Sequence, residues 1–125
     1  MSEPKPRIAL VGHCGPDSYA LRSAARRAVP EAEVEFITDE PSALKAAAAG
    51  ALLLVNRVLD GDFKDDDGQS LINKVLATGS NKVMLISNFP DAQAAAEKAG
   101  ALPGFGKTTM NADETRNLLK QAVTN

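Results

Sequence analysis

The stretch ALLLV, residues 51–55, decides the fold class because it contains no polar side chain. A strand that is apolar throughout is typical of the centre of a parallel sheet, where helices cover both faces. The stretch EVEFI, Glu33–Ile37, instead alternates charged and apolar residues, which indicates a strand nearer the sheet edge. The two patterns together predict a sheet with a buried middle.

Further apolar runs alternate with helical patterns on both sides of ALLLV, which predicts a parallel sheet with helices on each face. We expect Asp17 or Ser18 to cap the first helix, and Asn111 with Glu114 to form a capping box at the last. We predict a single domain over residues 1–125, with a flexible N-terminus at 1–6. The predicted strands are 7–11, 33–37, 51–55, 82–87 and 102–105, and the predicted helices are 18–29, 41–49, 69–77, 90–99 and 112–123.

The composition favours a cytoplasmic protein. The formal net charge of the 125 residues is −2, so nucleic acid and membrane surfaces are not expected as general partners. The one cysteine, Cys14, cannot form an internal disulfide. The polar N-terminus lacks the apolar run of a signal peptide, and no stretch approaches the roughly 20 apolar residues that span a bilayer.

Any site is expected beyond the carboxyl ends of the strands, where parallel sheets bind their ligands. The loops that meet there are predicted to be 12–17, 56–67, 87–90 and the segment around Lys107. These loops contain Ser87, which ends KVMLIS, and Lys107 in GFGKTT.

Ser87, Lys107, the stretch AEKAGALPGFGK, and Gly68 in DDDGQSLI give the chain a resemblance to the receiver domains of two-component response regulators. The resemblance covers nearly the whole chain. It implies a CheY-like, flavodoxin-like α/β fold, a three-layer, doubly wound, five-stranded parallel sheet of order 2-1-3-4-5. In that family a hydroxyl residue follows the fourth strand and a lysine follows the fifth, as Ser87 and Lys107 do here.

The acidic positions of receivers are not matched. Receivers carry an acidic pair after the first strand and a phospho-accepting Asp at the end of the third, where this chain has Gly12, His13 and Asn56. Mg²⁺ is usually held by carboxylates, and an amide is not a competent phosphoryl acceptor. The resemblance therefore implies a degenerate, positively charged pocket of Gly12, His13, Asn56, Ser87 and Lys107. We expect no bound Mg²⁺, no other cofactor, no catalytic residue and no enzymatic activity.

Two further departures concern the end of the fifth strand. Thr108 stands where the proline of receivers follows the lysine. The aromatic switch residue of receivers falls on Gly104, with Phe105 next to it.

Several alternatives concern the loops. The five aspartates between Asp60 and Asp67 predict a flexible, solvated loop, and a displaced magnesium site using Asp60 or Asp62 is the alternative. His13 is expected at the mouth of the pocket, where its charge could change near neutral pH. His13 and Cys14 are adjacent, but neither joint zinc ligation nor a nucleophile pair is expected of them.

The leading functional prediction is an atypical, stand-alone receiver that is not phosphorylated on aspartate and acts through contacts with a signalling protein. A histidine kinase or an output protein is the expected partner, and a homodimer is left open. One alternative is a small-anion or small-molecule binding protein that uses Ser87 and Lys107. Others are a receiver phosphorylated through rearranged acidic residues and, last, an enzyme using Cys14.

Overall fold

The computed structural model describes residues 5–124, in which strands and α-helices alternate strictly. None of the helices in this range has the length and apolar character needed to cross a bilayer. The strands are β1 (Arg7–Val11), β2 (Glu33–Ile37), β3 (Leu52–Asn56), β4 (Val83–Ile86) and β5 (Leu102–Phe105). The helices are α1 (Gly15–Ala28), α2 (Glu40–Ala48), α3 (Gly68–Ala77), α4 (Pro90–Ala99) and α5 (Asp113–Thr124), with a 3₁₀ turn at Lys107–Thr109.

The strands form one parallel sheet of order β2-β1-β3-β4-β5, which confirms the predicted fold class and strand order. Strand β3 lies in the middle and is buried on both faces, as its apolar sequence requires. Its alternate side chains point to opposite faces, so Leu53 and Val55 pack under α2 and α3. Leu52 and Leu54 pack on the other side, with α1 and α5. The sheet therefore has a core on each face.

The start of the first helix is the main error in the predicted boundaries. Helix α1 begins at Gly15, three residues before the predicted start, and Pro16 lies in its first turn. Proline suits this position because its φ is already helical and its missing N–H has no partner there anyway. Cys14 is the N-cap residue without a capping side-chain hydrogen bond. Asp17 and Ser18 are therefore inside the helix, and the prediction that one of them caps it was wrong.

The start of the last helix differs from expectation as well. Helix α5 begins at Asp113, and the Asn111 carboxamide accepts a hydrogen bond from Arg27 of α1, so the predicted capping box does not form. Of the predicted flexible N-terminus, residues 1–4 lie outside the described residues. Residue 6 is tied to the sheet, because Glu33 N donates to Pro6 O over 2.8 Å.

Candidate functional site

A small pocket of about 220 Å³ opens at the carboxyl ends of β3, β4 and β5. It brings together three of the predicted site residues, Asn56, Ser87 and Lys107, while Gly12 and His13 do not line it. A larger cavity of about 760 Å³ opens between Arg7, Glu31 and Lys82 at the amino ends of the strands, but it contains no predicted site residue. The remaining walls of the small pocket are Arg57, Val58, Ile86, Asn88 and Phe89.

Asn56, at the end of β3, uses its side chain to hold the loops around the pocket. Its Nδ2 donates to Gly12 O over 3.0 Å and to Val58 O over 2.8 Å. Its Oδ1 accepts from Arg57 N over 3.1 Å. Two of these three hydrogen bonds need a donor that an ionised carboxylate does not have. The amide is therefore built into this structure and is not simply a neutral replacement for aspartate.

Gly12 follows β1 in a conformation that excludes larger residues. Its φ is +73°, and a Cβ atom there would lie 2.6 Å from Leu59 Cδ2 and 3.0 Å from Leu59 Cα. Leu59 is only 5% exposed because it packs down onto this glycine. An acidic side chain at residue 12 would have to displace Leu59 as well as adopt a left-handed backbone.

The acidic loop after β3 is exposed at most of its residues, and its backbone is anchored by hydrogen bonds. Leu59 N donates to Asp66 O over 2.7 Å, and Asp60 N donates to Gly12 O over 2.9 Å. Farther along, Asp62 N donates to Thr38 O over 2.7 Å, so the loop crosses the ends of β1 and β2. The aspartates of this loop face water, as do Gly61 and Lys64, whereas Leu59 is buried.

The residues present do not fit the Mg²⁺ ion that the resemblance to receivers would imply. Gly12 has no side chain, Asn56 offers no carboxylate, and Leu59 fills the space above Gly12. Asp60 and Asp62 do not compensate, since no three His, Cys, Asp or Glu side chains within residues 5–124 form a cluster that could hold a metal. A hard divalent cation would therefore lack the carboxylate ligands it needs here.

Substitution of Gly12 tests how tightly Leu59 is packed against the chain. Gly12→Ala is expected to destabilise the protein by about 2 kcal/mol more than Gly50→Ala, because added volume in a packed site is costly. Gly50 is the matched control: its φ of +89° carries the same backbone penalty, but nothing lies within 4 Å of its would-be Cβ. Urea unfolding of both variants measures the difference. Equal losses would show that Leu59 gives way freely.

Lys107 is paired with a carboxylate that the sequence did not place in the site. Its Nζ lies 2.7 Å from Asp17 Oδ2, with both side chains partly buried. This hydrogen bond, with a smaller contribution from Cys14, lowers the pKa of Asp17, so the carboxylate stays ionised. The expected positive charge at Lys107 is thus corrected, since Asp17 neutralises it.

His13 lies behind the pocket under α1 and not at its mouth. The residue is 7% exposed, and its Nε2 lies 2.9 Å from Leu54 O. The pKa of His13 is lowered to about 4, mainly by burial, against the raising effect of the Leu54 carbonyl and with a smaller lowering effect of the Lys107 charge. The imidazole is therefore neutral at neutral pH with Nε2–H as donor, and the expectation that its charge changes near pH 7 was wrong.

Ser87 and its neighbours connect β4 firmly to α4 and to the segment after β5. Ser87 Oγ accepts from Phe89 N over 3.1 Å, which fixes the first residues before α4. The Oδ1 of Asn88 accepts from Thr108 N over 3.3 Å and from Thr108 Oγ1 over 3.1 Å. A side chain at residue 106 would overlap Asn88, so Gly106 is needed for this contact.

The space beside Gly104, at the position of the receiver switch aromatic, is filled by a side chain from α4. Gln93 Nε2 lies 2.8 Å from Leu85 O, 3.1 Å from Ser87 O and 3.2 Å from Phe105 O, at an irregularity in the β4–β5 register. A Cβ on Gly104 would lie 2.9 Å from Gln93 Oε1 and overlap Leu85 O. Phe105 turns to the opposite core, with α1 and α5. The space of a rotating aromatic is thus filled by Gln93.

Sequence reasoning missed Asp17, Leu59 and the pair formed by Arg57 and Phe89. The Arg57 guanidinium carbon lies 4.8 Å from the centroid of the exposed Phe89 ring. Of these residues, only Asp17 could have been predicted from the sequence. Proline favours the first turn of a helix, and a helix that begins near Pro16 places Asp17 at the carboxyl end of the sheet. The positions of Leu59 and Phe89 depend on loops whose course is set by tertiary contacts.

The strand order, the helices on both faces and the pocket at the carboxyl ends define the fold of the response-regulator receiver domains. Among solved structures, the chain is similar to the receiver domain of a DNA-binding response regulator from Colwellia psychrerythraea 34H. The two sequences are 16% identical, the match covers 96% of this chain and 99% of that chain, and the TM-score is 0.73. It is also similar to the receiver domain of NtrX from Brucella abortus, with 20% identity, coverage of 95% and 98%, and a TM-score of 0.69.

The non-phosphorylated receiver domain of the stress response regulator RcsB from Escherichia coli is a third similar structure, with 18% identity, coverage of 93% and 91%, and a TM-score of 0.67. Against a longer NtrX structure, the chain spans only 27% of that protein. No protein-family model matches the chain. No curated protein matches it either. At these identities the likeness concerns the fold.

Proposed function

We propose that this protein is a receiver-like signalling module that acts in the cytoplasm through contacts with other proteins and is not switched by aspartyl phosphorylation. The observation that carries the proposal is the carboxamide of Asn56, which donates to Gly12 O and Val58 O at the position where receivers accept a phosphoryl group. Gly12 supports it as well, because this glycine, covered by Leu59, provides no carboxylate directly after β1. The proposal includes no catalytic activity and no bound Mg²⁺.

The expected partners are a histidine kinase or an output protein, and self-association is a further option. The receiver-like fold supports this partner class, because the solved structures similar to this chain are receiver domains of response regulators.

Incubation with acetyl phosphate and Mg²⁺, followed by intact-mass measurement, tests the proposal. The full chain is expected to keep its mass, while a receiver domain with the acidic residues, treated in the same tube, gains about 80 Da. A stoichiometric adduct on this chain would refute the proposal. Loss of that adduct in Asp60→Asn or Asp62→Asn would then establish the rearranged receiver.

The alternative of a small-anion binding protein has less support from the pocket. Lys107 Nζ is paired with Asp17, and Ser87 Oγ already accepts from Phe89 N. A free anion at this place would have to compete with Asp17 for the lysine. A melting screen with phosphate and sulfate, corrected for ionic strength, is expected to show no shift.

A further inference from the structure

The outer rim of the pocket offers hydrogen-bond donors and a positive charge that nothing in the described structure satisfies. Arg57 is exposed, and no carboxylate within residues 5–124 forms an ion pair with it. Asn88 uses its Oδ1 for Thr108, which leaves its Nδ2 as a donor. No Asp or Glu is among the pocket-lining residues. The rim is therefore complementary to an anionic group that approaches from outside.

The same rim exposes apolar surface beside that charge. The side chains of Val58 and Phe89 are 49% and 57% exposed, although the whole chain has only five aromatic residues, one Tyr and four Phe. The Arg57 guanidinium stacks on the Phe89 ring. Exposed aromatic and arginine side chains are enriched among the residues that dominate protein interfaces.

The rim is also rigid. The backbone of Phe89 is held at both ends, since its N–H donates to Ser87 Oγ and its carbonyl accepts from Gln93 N over 3.1 Å. Arg57 N is bonded to the Asn56 side chain. A preformed surface loses little conformational entropy when a partner binds, which favours affinity.

From these contacts we propose that the rim formed by Arg57, Val58, Asn88 and Phe89 docks an acidic segment of a partner protein. A carboxylate side chain of the partner pairs with Arg57 and Asn88 Nδ2, and an adjacent apolar side chain covers Phe89 and Val58. The inference rests on the proposed function and names the chemistry of its partner. The apolar rim is what favours a protein segment over a free anion, which would leave this surface in water.

A random-peptide display library panned against the full chain tests the docking proposal. Selected peptides are expected to be enriched in Asp or Glu next to Leu, Ile or Phe. A synthetic peptide of the selected consensus should bind at least about tenfold more weakly to Arg57→Glu and to Phe89→Ser. Amide chemical-shift changes in the wild-type protein should centre on residues 56–58 and 87–89.

Two matched controls distinguish this rim from any exposed arginine or aromatic. Arg26→Glu alters an exposed arginine of α1, and Tyr19→Ser removes a ring that is 63% exposed. Both lie outside the pocket, and affinity in both should stay within about twofold of wild type. Circular dichroism of all four variants checks that each remains folded.

Three results would overturn the docking proposal. One is selection without acidic enrichment, and another is an equal loss of affinity in the control variants. The third is displacement of the peptide by inorganic phosphate at matched ionic strength, with the same shifted amides, which would assign the rim to a small anion. If acetyl phosphate adds no mass to the protein, the proposed function is retained after any of these three results. A mass adduct would refute the proposed function regardless of the result of the peptide experiment.

Discussion

Asn56→Asp is expected to destabilise the protein by about 3 kcal/mol at pH 7 and to leave it unable to accept a phosphoryl group. The substitution removes both hydrogen bonds that Nδ2 donates, to Gly12 O and Val58 O. It also places an ionised oxygen against two carbonyl oxygens. Each lost hydrogen bond costs about 0.5–1.5 kcal/mol, and the repulsion adds to this loss although Gly12 O keeps the hydrogen bond from Asp60 N. Restoring the receiver aspartate therefore damages this protein.

The effect of Asn56→Asp should depend on pH in a diagnostic way. The repelling carbonyls raise the pKa of the introduced carboxyl above its ordinary value, since they disfavour its charged form. Below that raised pKa the protonated carboxyl can donate one hydrogen bond, so part of the lost stability returns on acidification. Urea unfolding of the variant at pH 7 and pH 5, each compared with wild type, measures this recovery.

Asn81→Asp is the matched control for charge alone. Asn81 is exposed between α3 and β4, and its side chain makes no hydrogen bond to any residue of the range 5–124. It should change stability by less than about 0.5 kcal/mol. A phosphoryl adduct on Asn56→Asp, or a stability equal to that of Asn81→Asp, would mean that the amide is not built into the loops as described.

Acidification should destabilise the wild-type protein between about pH 6.5 and pH 4 through His13. Its pKa is about 4 in the folded protein and 6.5 ordinarily, so in this range the unfolded chain binds the additional proton. The difference of about 2.5 units, at about 1.4 kcal/mol per unit, gives a loss of about 3 kcal/mol by pH 4. Above pH 6.5 this contribution no longer changes with pH.

His13→Gln isolates the effect, because glutamine keeps an N–H donor but does not titrate. The chain has one histidine, so this variant has no imidazole left. Asp17 affects stability only at lower pH. Its carboxyl has a lowered pKa in the folded protein, so its contribution to stability is lost as the pH falls below the ordinary pKa of 3.8. Urea unfolding at pH 7, 6, 5 and 4.5 should give a flatter profile for the variant. Parallel profiles would contradict the burial of a neutral imidazole.

The fold class and the middle strand followed from the sequence because burial leaves a strong pattern, whereas the full strand order followed from the resemblance to receivers. The apolar run 51–55 can be stable only between two helical layers, and its neighbours followed from regular alternation and the resemblance to receivers. The start of α1 did not follow, since the stretch GPDS has the composition of a loop. Only the preference of proline for a first helical turn indicated otherwise.

For the site, the sequence predicted which positions along the chain come together but not the contacts that their side chains make. Asn56, Ser87 and Lys107 meet because parallel strands end at one edge of the sheet. Their partners did not follow, because the pairing of Lys107 with Asp17 joins residues 90 positions apart. The burial of His13 likewise depends on how closely α1 packs over β1 and β3. These features are set by tertiary packing and leave no local pattern.

The contact between Gln93 and Gly104 constrains how this protein can evolve. An ancestor or descendant with an aromatic at residue 104 would need a shift of the β4 backbone at Leu85 and could not keep glutamine at residue 93, because a Cβ at residue 104 meets both. A variant with only one of the two substitutions would contain either a clash or a void, and each of these defects lowers stability. The pair is therefore epistatic, and sequences related to this one should change the two positions together.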